Sequence, residues 1–140
     1  MRRLAFLSCV SMKSNRACEA KDMYISPLFK YSYKFAQMMG VSGIYILSAK
    51  YGVIEDNEII TPYDLTLNNM SKNERISWSE NVNLKLEDII KNDDKILLLA
   101  GSKYIEFLKF NVPSSNIYNP LKNMPIGKRL QYLKNANISS

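Results

Sequence analysis

Three segments of the chain place small hydroxyl residues and a lysine at the end of an apolar run. The first carries Ser8, Cys9, Ser11 and Lys13 at and beyond the end of the run 4–10. The second carries Ser48, Lys50, Tyr51 and Gly52 around the end of 44–49, and the third carries Gly101, Ser102, Lys103 and Tyr104 after 96–100. Small residues let backbone N–H groups approach a ligand, helix starts aim their dipoles at it, and lysine supplies charge, so the set suits an anion pocket. The same Gly and Ser residues also make ordinary turns, with the lysines solvated. The triplet Gly101-Ser102-Lys103 is not a P-loop, because the spaced first glycine is missing.

A second group of candidates lies in the stretch 61–69. Asp64, Thr66 and Asn68 alternate with Leu65 and Leu67, and they share one face if the segment is extended. Asp64 is then a candidate general acid–base, and Asn68 offers paired donor and acceptor contacts to a base edge. The alternative is a structured turn in which Asp and Asn bond their own backbone. Asp22, ahead of the first helix, is a second candidate carboxylate. Cys9 is a candidate nucleophile whose thiolate needs a nearby cation, Lys13 or Lys50. Nine tyrosines are present, and Tyr24, Tyr51, Tyr63 and Tyr104 fall beside these segments, where a ring can stack on a nucleobase or simply cover a core. Ser26 before Pro27 reads as a helix cap, and Trp78 as packing.

The chain of 140 residues contains no histidine. Ser-His-Asp triads, Cys-His dyads and histidine metal sites are therefore excluded, and acid–base work falls to carboxylates, lysine, tyrosine, cysteine or the substrate. The two cysteines, Cys9 and Cys18, form no C-x-x-C and cannot by themselves build a zinc site; no metal and no cofactor are expected. Cys18 reads as structural. Lys and Arg number 19 against 13 for Asp and Glu, a net charge of +6 that favours phosphate-bearing partners. The basic residues form no consecutive block, so a nucleic-acid tail is not supported. No stretch approaches the roughly 18 apolar residues needed to cross a bilayer. The apolar run within residues 1–9 is too short for a signal-peptide core, so the expected location is cytoplasmic, with no membrane partner.

These residues need a scaffold, and the apolar pattern supplies one. The runs 4–10, 44–49 and 96–100 are continuously apolar rather than alternating, as in strands covered on both faces, with 116–118 a weaker candidate. Helical patterns lie between them. One spans 27–39 before Gly40, one starts at the capping box Ser71/Glu74, one runs from Ser102 through Phe110, and one covers 127–133. Residues 51–70 read as a long loop, with a small hairpin of Val53-Ile54 and Glu58-Ile59-Ile60 about Asp56-Asn57. The expected fold is α/β: a single small domain over residues 1–140, with about four parallel strands and helices on both faces. Ligands of such sheets bind at the carboxyl ends of the strands.

A family resemblance rests on spaced motifs covering nearly the whole chain. They include Leu7-Ser8-Cys9, the stretch 20–29, Ser48-Ala49-Lys50-Tyr51-Gly52, Pro62-Tyr63-Asp64-Leu65-Thr66-Leu67-Asn68, Leu99-Ala100-Gly101 and Ile126-Gly127-Lys128-Arg129-Leu130. In these the chain resembles a small domain-of-unknown-function family of bacteria and their phages, which carries no established activity. It is loosely similar to uracil-DNA-glycosylase-like α/β domains, including the one in archaeosine synthase. Their Gly-Gln-Asp-Pro-Tyr-His loop and catalytic histidine are absent, so uracil excision is not implied.

The resulting expectation is a nucleotide- or nucleobase-binding protein, read first as an enzyme, a nucleoside or nucleotide hydrolase or a base-modifying transferase. Breaking an N-glycosidic bond needs a carboxylate, Asp64 or Asp22, and groups such as Asn68 and a lysine to hold base or phosphate. The alternatives are a non-catalytic protein that sequesters a nucleotide signal, as in phage counter-defence, and a nucleic-acid-binding adaptor. The expected partner is a nucleotide-type small molecule, with nucleic acid and a second copy of the chain left open.

Overall fold

A computed structural model describes residues 2–8 and 13–139. The elements follow in the order β1 (Arg3–Ser8), β2 (Cys18–Glu19), α1 (Ala20–Met23), α2 (Pro27–Met38), β3 (Gly43–Ser48), β4 (Gly52–Glu55), β5 (Ile59–Ile60), α3 (Lys72–Ile89), β6 (Lys95–Leu99), α4 (Ser102–Ile105), β7 (Ile117–Tyr118) and α5 (Ile126–Ser139). One sheet has the order β4-β3-β1-β6-β7, and β2 pairs with β5 in a second, two-stranded sheet. Within the main sheet β3, β1, β6 and β7 are parallel, as expected for this α/β domain. The fifth strand, β4, is antiparallel to β3 and extends the expected four.

Alternation along each strand divides the core between two faces. Ala5 and Leu7 pack with Phe29, Phe35 and Ala36 of α2 and Leu133 of α5. Leu4 and Phe6 pack with Val82 and Leu86 of α3 and Tyr104 of α4. Both faces are therefore covered by helices, which is why the runs are apolar without a polar phase. Helix starts are where the caps put them. The Ser26 hydroxyl accepts from the Phe29 N–H with Pro27 at the first helical position, and Ser71 and Glu74 form a reciprocal capping box.

Three expectations are corrected. Residues 51–70 hold two short strands where the hairpin arms were expected, but these pair with β3 and β2 and not with each other. Gly52, at φ +76°, reverses the chain directly after β3, and Val53 and Ile54 are buried against that strand as β4. The backbone of the following turn is taken by others: Asp56 donates to Ile44, while Asp56 and Glu58 accept from Lys21 and Ala20. α4 stops at Ile105 instead of running to Phe110. Asn83 of α3 binds the next segment, donating to the Phe107 carbonyl and accepting from the Lys109 N–H. α5 starts one residue earlier than expected and continues past Leu133 to Ser139, packed on α2 through Tyr132 against Phe35. Among the described residues no helix is long and apolar enough to cross a membrane.

The amino ends of β1 and β6 are tied by an ion pair. The Asp94 carboxylate, 1% exposed, accepts from Arg2 Nε and Nη2 at 3.0 and 2.6 Å and from the Lys91 N–H at 2.8 Å. The hydrogen bond from Arg2 is the main reason its pKa lies below the ordinary aspartate value. A depressed carboxylate contributes its stability above the unfolded-state pKa and loses it as pH falls through the folded one. Replacing Asp94→Asn is expected to lower stability at pH 7 by about 1–2 kcal/mol, since Arg2 is 43% exposed and solvent screens the pair. The variant should also lose less stability than the parent between pH 7 and pH 3, as followed by denaturant titration at each pH.

Candidate functional site

The chain passes from β1 through α2 to β3 on one side, then returns through α3 to β6 on the other side of β1. The direction of winding therefore switches between β1 and β6, where parallel sheets open a crevice at their carboxyl ends. A cavity of about 460 Å³ lies there. Its walls come from the end of β1 (Ser8), the start of α2, the β6 exit and start of α4 (Gly101, Ser102, Lys103), and the start of α5 (Arg129). The Ser8 hydroxyl accepts the Gly101 N–H at 2.9 Å and joins the two strand exits across the seam.

Arg129 reaches this space from the opposite end of the sequence. Its Nε donates to the Met124 carbonyl at 2.8 Å and its Nη1 to the Ala100 carbonyl at 3.0 Å, which fixes the guanidinium at the end of β6. Burial lowers its pKa from the ordinary arginine value. Leu28, Leu121, Met124 and Leu130 supply an apolar wall. No carboxylate is present among the described residues of the lining.

Of the residues singled out in the sequence, Ser8, Ser26, Asn68, Gly101, Ser102, Lys103 and Tyr104 line this cavity. The exit of β3 does not join it. Ser48 is buried and pins the turn after β3, accepting from the Lys50 and Tyr51 N–H groups and donating to the Tyr63 hydroxyl at 3.0 Å. The Tyr63 hydroxyl lies 2.6 Å from that of Tyr24, and the Lys13 ammonium sits over the Tyr63 ring at 4.6 Å. Tyr24 is buried against Phe29, and Tyr104 is buried with its ring perpendicular to that of Trp78, so neither offers an open face for stacking. Lys50, Tyr51 and Gly52 border a separate hollow of about 160 Å³ beside Trp78 and Lys85. Tyr51 has a pKa below the ordinary phenol value, chiefly through its side-chain hydrogen bond with Thr61.

The candidate carboxylates stand elsewhere. Asp22 is exposed in a groove of about 530 Å³ along the outer side of α2, beside Lys30 and Tyr33. In that groove burial, followed by a hydrogen bond to Asp56, raises the Tyr33 pKa. Asp64 is exposed and lines none of these three spaces. The stretch beyond it is not extended on one face. Thr66 caps a single turn of 3-10 helix, Leu67–Asn69, by accepting the Asn68 N–H, and buried Leu67 anchors that turn. Cys9 lies outside the described residues. Among the described residues no group of three or more Cys, Asp or Glu side chains is placed to hold a metal ion.

Both walls of the cavity, Ser8 at one end and Arg129 at the other, fall within a span matched by one family model, residues 4–135. The chain belongs to the DUF6884 family, a family of unknown function. No curated protein matches the sequence. In this DUF6884 chain the matched span starts in β1 and ends in α5, so the segment that brings Arg129 to the strand ends is part of the family's domain. Arg129 was the residue that strand-exit reasoning missed. Its only sequence signal was membership in the spaced motif Ile126–Leu130, since nothing local says that a helix start near the C-terminus returns to β6.

Two substitutions separate the seam from the hydroxyl chain. Ser8→Ala leaves the half-buried Gly101 N–H to solvent of the cavity and should cost about 1 kcal/mol. Tyr63→Phe removes the acceptor of a fully buried Ser48 hydroxyl and should cost more, about 2 kcal/mol. Thermal unfolding followed by circular dichroism reads both, and the order of the two losses checks the geometry.

Proposed function

We propose that the protein binds a nucleotide-type ligand in the cavity at the carboxyl ends of β1 and β6. The observation that carries this reading is the charge of the lining: Lys103 and Arg129 stand at the switch point of a parallel sheet with no carboxylate among its described residues. The Ser8 and Ser102 hydroxyls and the Asn68 amide can orient polar groups of a ligand, and the wall of Leu28, Leu121, Met124 and Leu130 can cover an apolar ring face.

Between catalysis and capture, the geometry favours capture. An N-glycosidic cleavage asks for a carboxylate beside the sugar, and Asp22 and Asp64 both stand away from this cavity. Sequestration of an intact nucleotide requires only the binding groups that line it.

A thermal-shift panel of nucleosides, nucleotides and cyclic dinucleotides tests the reading. A ligand at a hundredfold excess over its Kd should stabilise the fold by about 2.7 kcal/mol. The stabilisation should fall sharply in Lys103→Ala and Arg129→Ala. Heat release followed by mass spectrometry should return the ligand unchanged. A converted ligand, with conversion lost in Asp64→Asn, would restore the enzymatic reading and the role of Asp64.

A further inference from the structure

Arg129 is a cation with no counter-charge among the described residues. It is half-buried, it is held only by the carbonyls of Met124 and Ala100, and it forms no ion pair among the described residues. Removing a guanidinium from water costs energy that an anion normally returns. Two of its N–H groups are occupied by those carbonyls, and both N–H groups of Nη2 lack an acceptor among the described residues. Arginine presents such donors as a planar fork suited to phosphate oxygens. Lys103, half-buried at the start of α4, brings a second positive charge to the same lining. Ser8 uses its oxygen to accept from Gly101, and its own proton has no acceptor among the described residues.

The number and kind of these groups limit the ligand. A phosphomonoester carries about −1.5 to −2 at neutral pH, which two cations neutralise. A di- or triphosphate carries more charge than they can offset, and it usually arrives with Mg²⁺ held by one or two carboxylates in addition to the phosphates. The described lining has no carboxylate to take that part. The rest of the cavity is largely apolar, through Leu28, Leu121, Met124 and Leu130, and matches a base rather than a longer phosphate chain.

We infer that the cavity takes a nucleoside monophosphate, its phosphate bound by Arg129 and Lys103 and its base laid on the apolar wall, without a divalent cation. This rests on the reading of the cavity as a nucleotide site and specifies the phosphorylation level of its ligand.

Isothermal titration of the full chain tests it, using adenosine, guanosine, cytidine and uridine with their 5′-monophosphates and 5′-triphosphates, each in EDTA and in Mg²⁺. At least one monophosphate should bind about tenfold or more tightly than its nucleoside and more tightly than its triphosphate, equally well in EDTA. Arg129→Gln should bring that monophosphate down to the affinity of its nucleoside and leave the nucleoside unchanged. Should Arg129→Gln fail to fold by circular dichroism, Lys103→Gln, whose side chain makes no ion pair among the described residues, gives the same comparison. A triphosphate that binds more tightly, a requirement for Mg²⁺, or a nucleoside that binds as well as its monophosphate overturns the inference and leaves the nucleotide site standing. Absence of binding by every compound overturns both.

Discussion

β1 is hydrogen-bonded along its length to β6 on one side and β3 on the other, and the remaining structure hangs on the first of these seams. The pairing runs from Arg3 opposite Lys95 to Leu7 opposite Leu99. It is closed at the amino end by Arg2 with Asp94 and at the carboxyl end by Ser8 with Gly101, residues 93 positions apart in sequence. Parallel strands need crossover connections, and the one between β1 and β6 holds α2, β3 and α3. With both ends tied, a one-residue slip would turn every buried side chain of β1 to the wrong helix layer. The two strand exits are thereby held level, and the cavity is the space between them.

The site follows from what is brought to that space and what is kept out of it. Tyr63 fills the region beside the β3 exit, joined to Ser48 and Tyr24 through hydroxyl groups and capped by the Lys13 ammonium. Trp78 closes the other side by donating to the Ser48 carbonyl. The exit of β3 is therefore shut off from the main cavity, and its lysine and glycine serve a turn and an antiparallel edge strand beside a smaller hollow. The exit of β6 stays open because Gly101 and Ser102 are small and because α4 ends after a single turn. Into the gap comes the start of α5, whose Arg129 is anchored on the Ala100 carbonyl. A cation of this kind is tolerated half-buried because two carbonyl oxygens partly replace its hydration.

Legibility varied with how local each cause was. The three long parallel strands were readable because burial on both faces leaves an unbroken apolar run, and the starts of α2 and α3 because Ser26-Pro27 and Ser71/Glu74 satisfy their own first N–H groups. Val53-Ile54 was legible as a short extended arm, but its partner was not, because β4 pairs with β3 rather than with residues 58–60. The truncation of α4 was hidden because Asn83, on another helix, supplies the competing hydrogen bonds. At the site, Ser8, Gly101, Ser102 and Lys103 were visible as polar ends of apolar runs. Tyr24 and Tyr104 looked the same in sequence as an exposed stacking residue, and only their packing separates them from one.

Residue types and short windows were enough for the class of the fold, its main strands, the caps of α2 and α3, an excess of positive charge and the exclusion of histidine chemistry. Each of these is a property of residue type or of a short window, where apolar periodicity and side-chain capping act within a few positions. Long-range packing settled which strand exits share a space, which tyrosines are buried, and that Arg129 lines the same cavity as Lys103 and Ser8. Those outcomes depend on strand order, which is set by hydrogen bonds and burial between segments far apart in the chain, and no local pattern encodes which distant partner a polar side chain will meet.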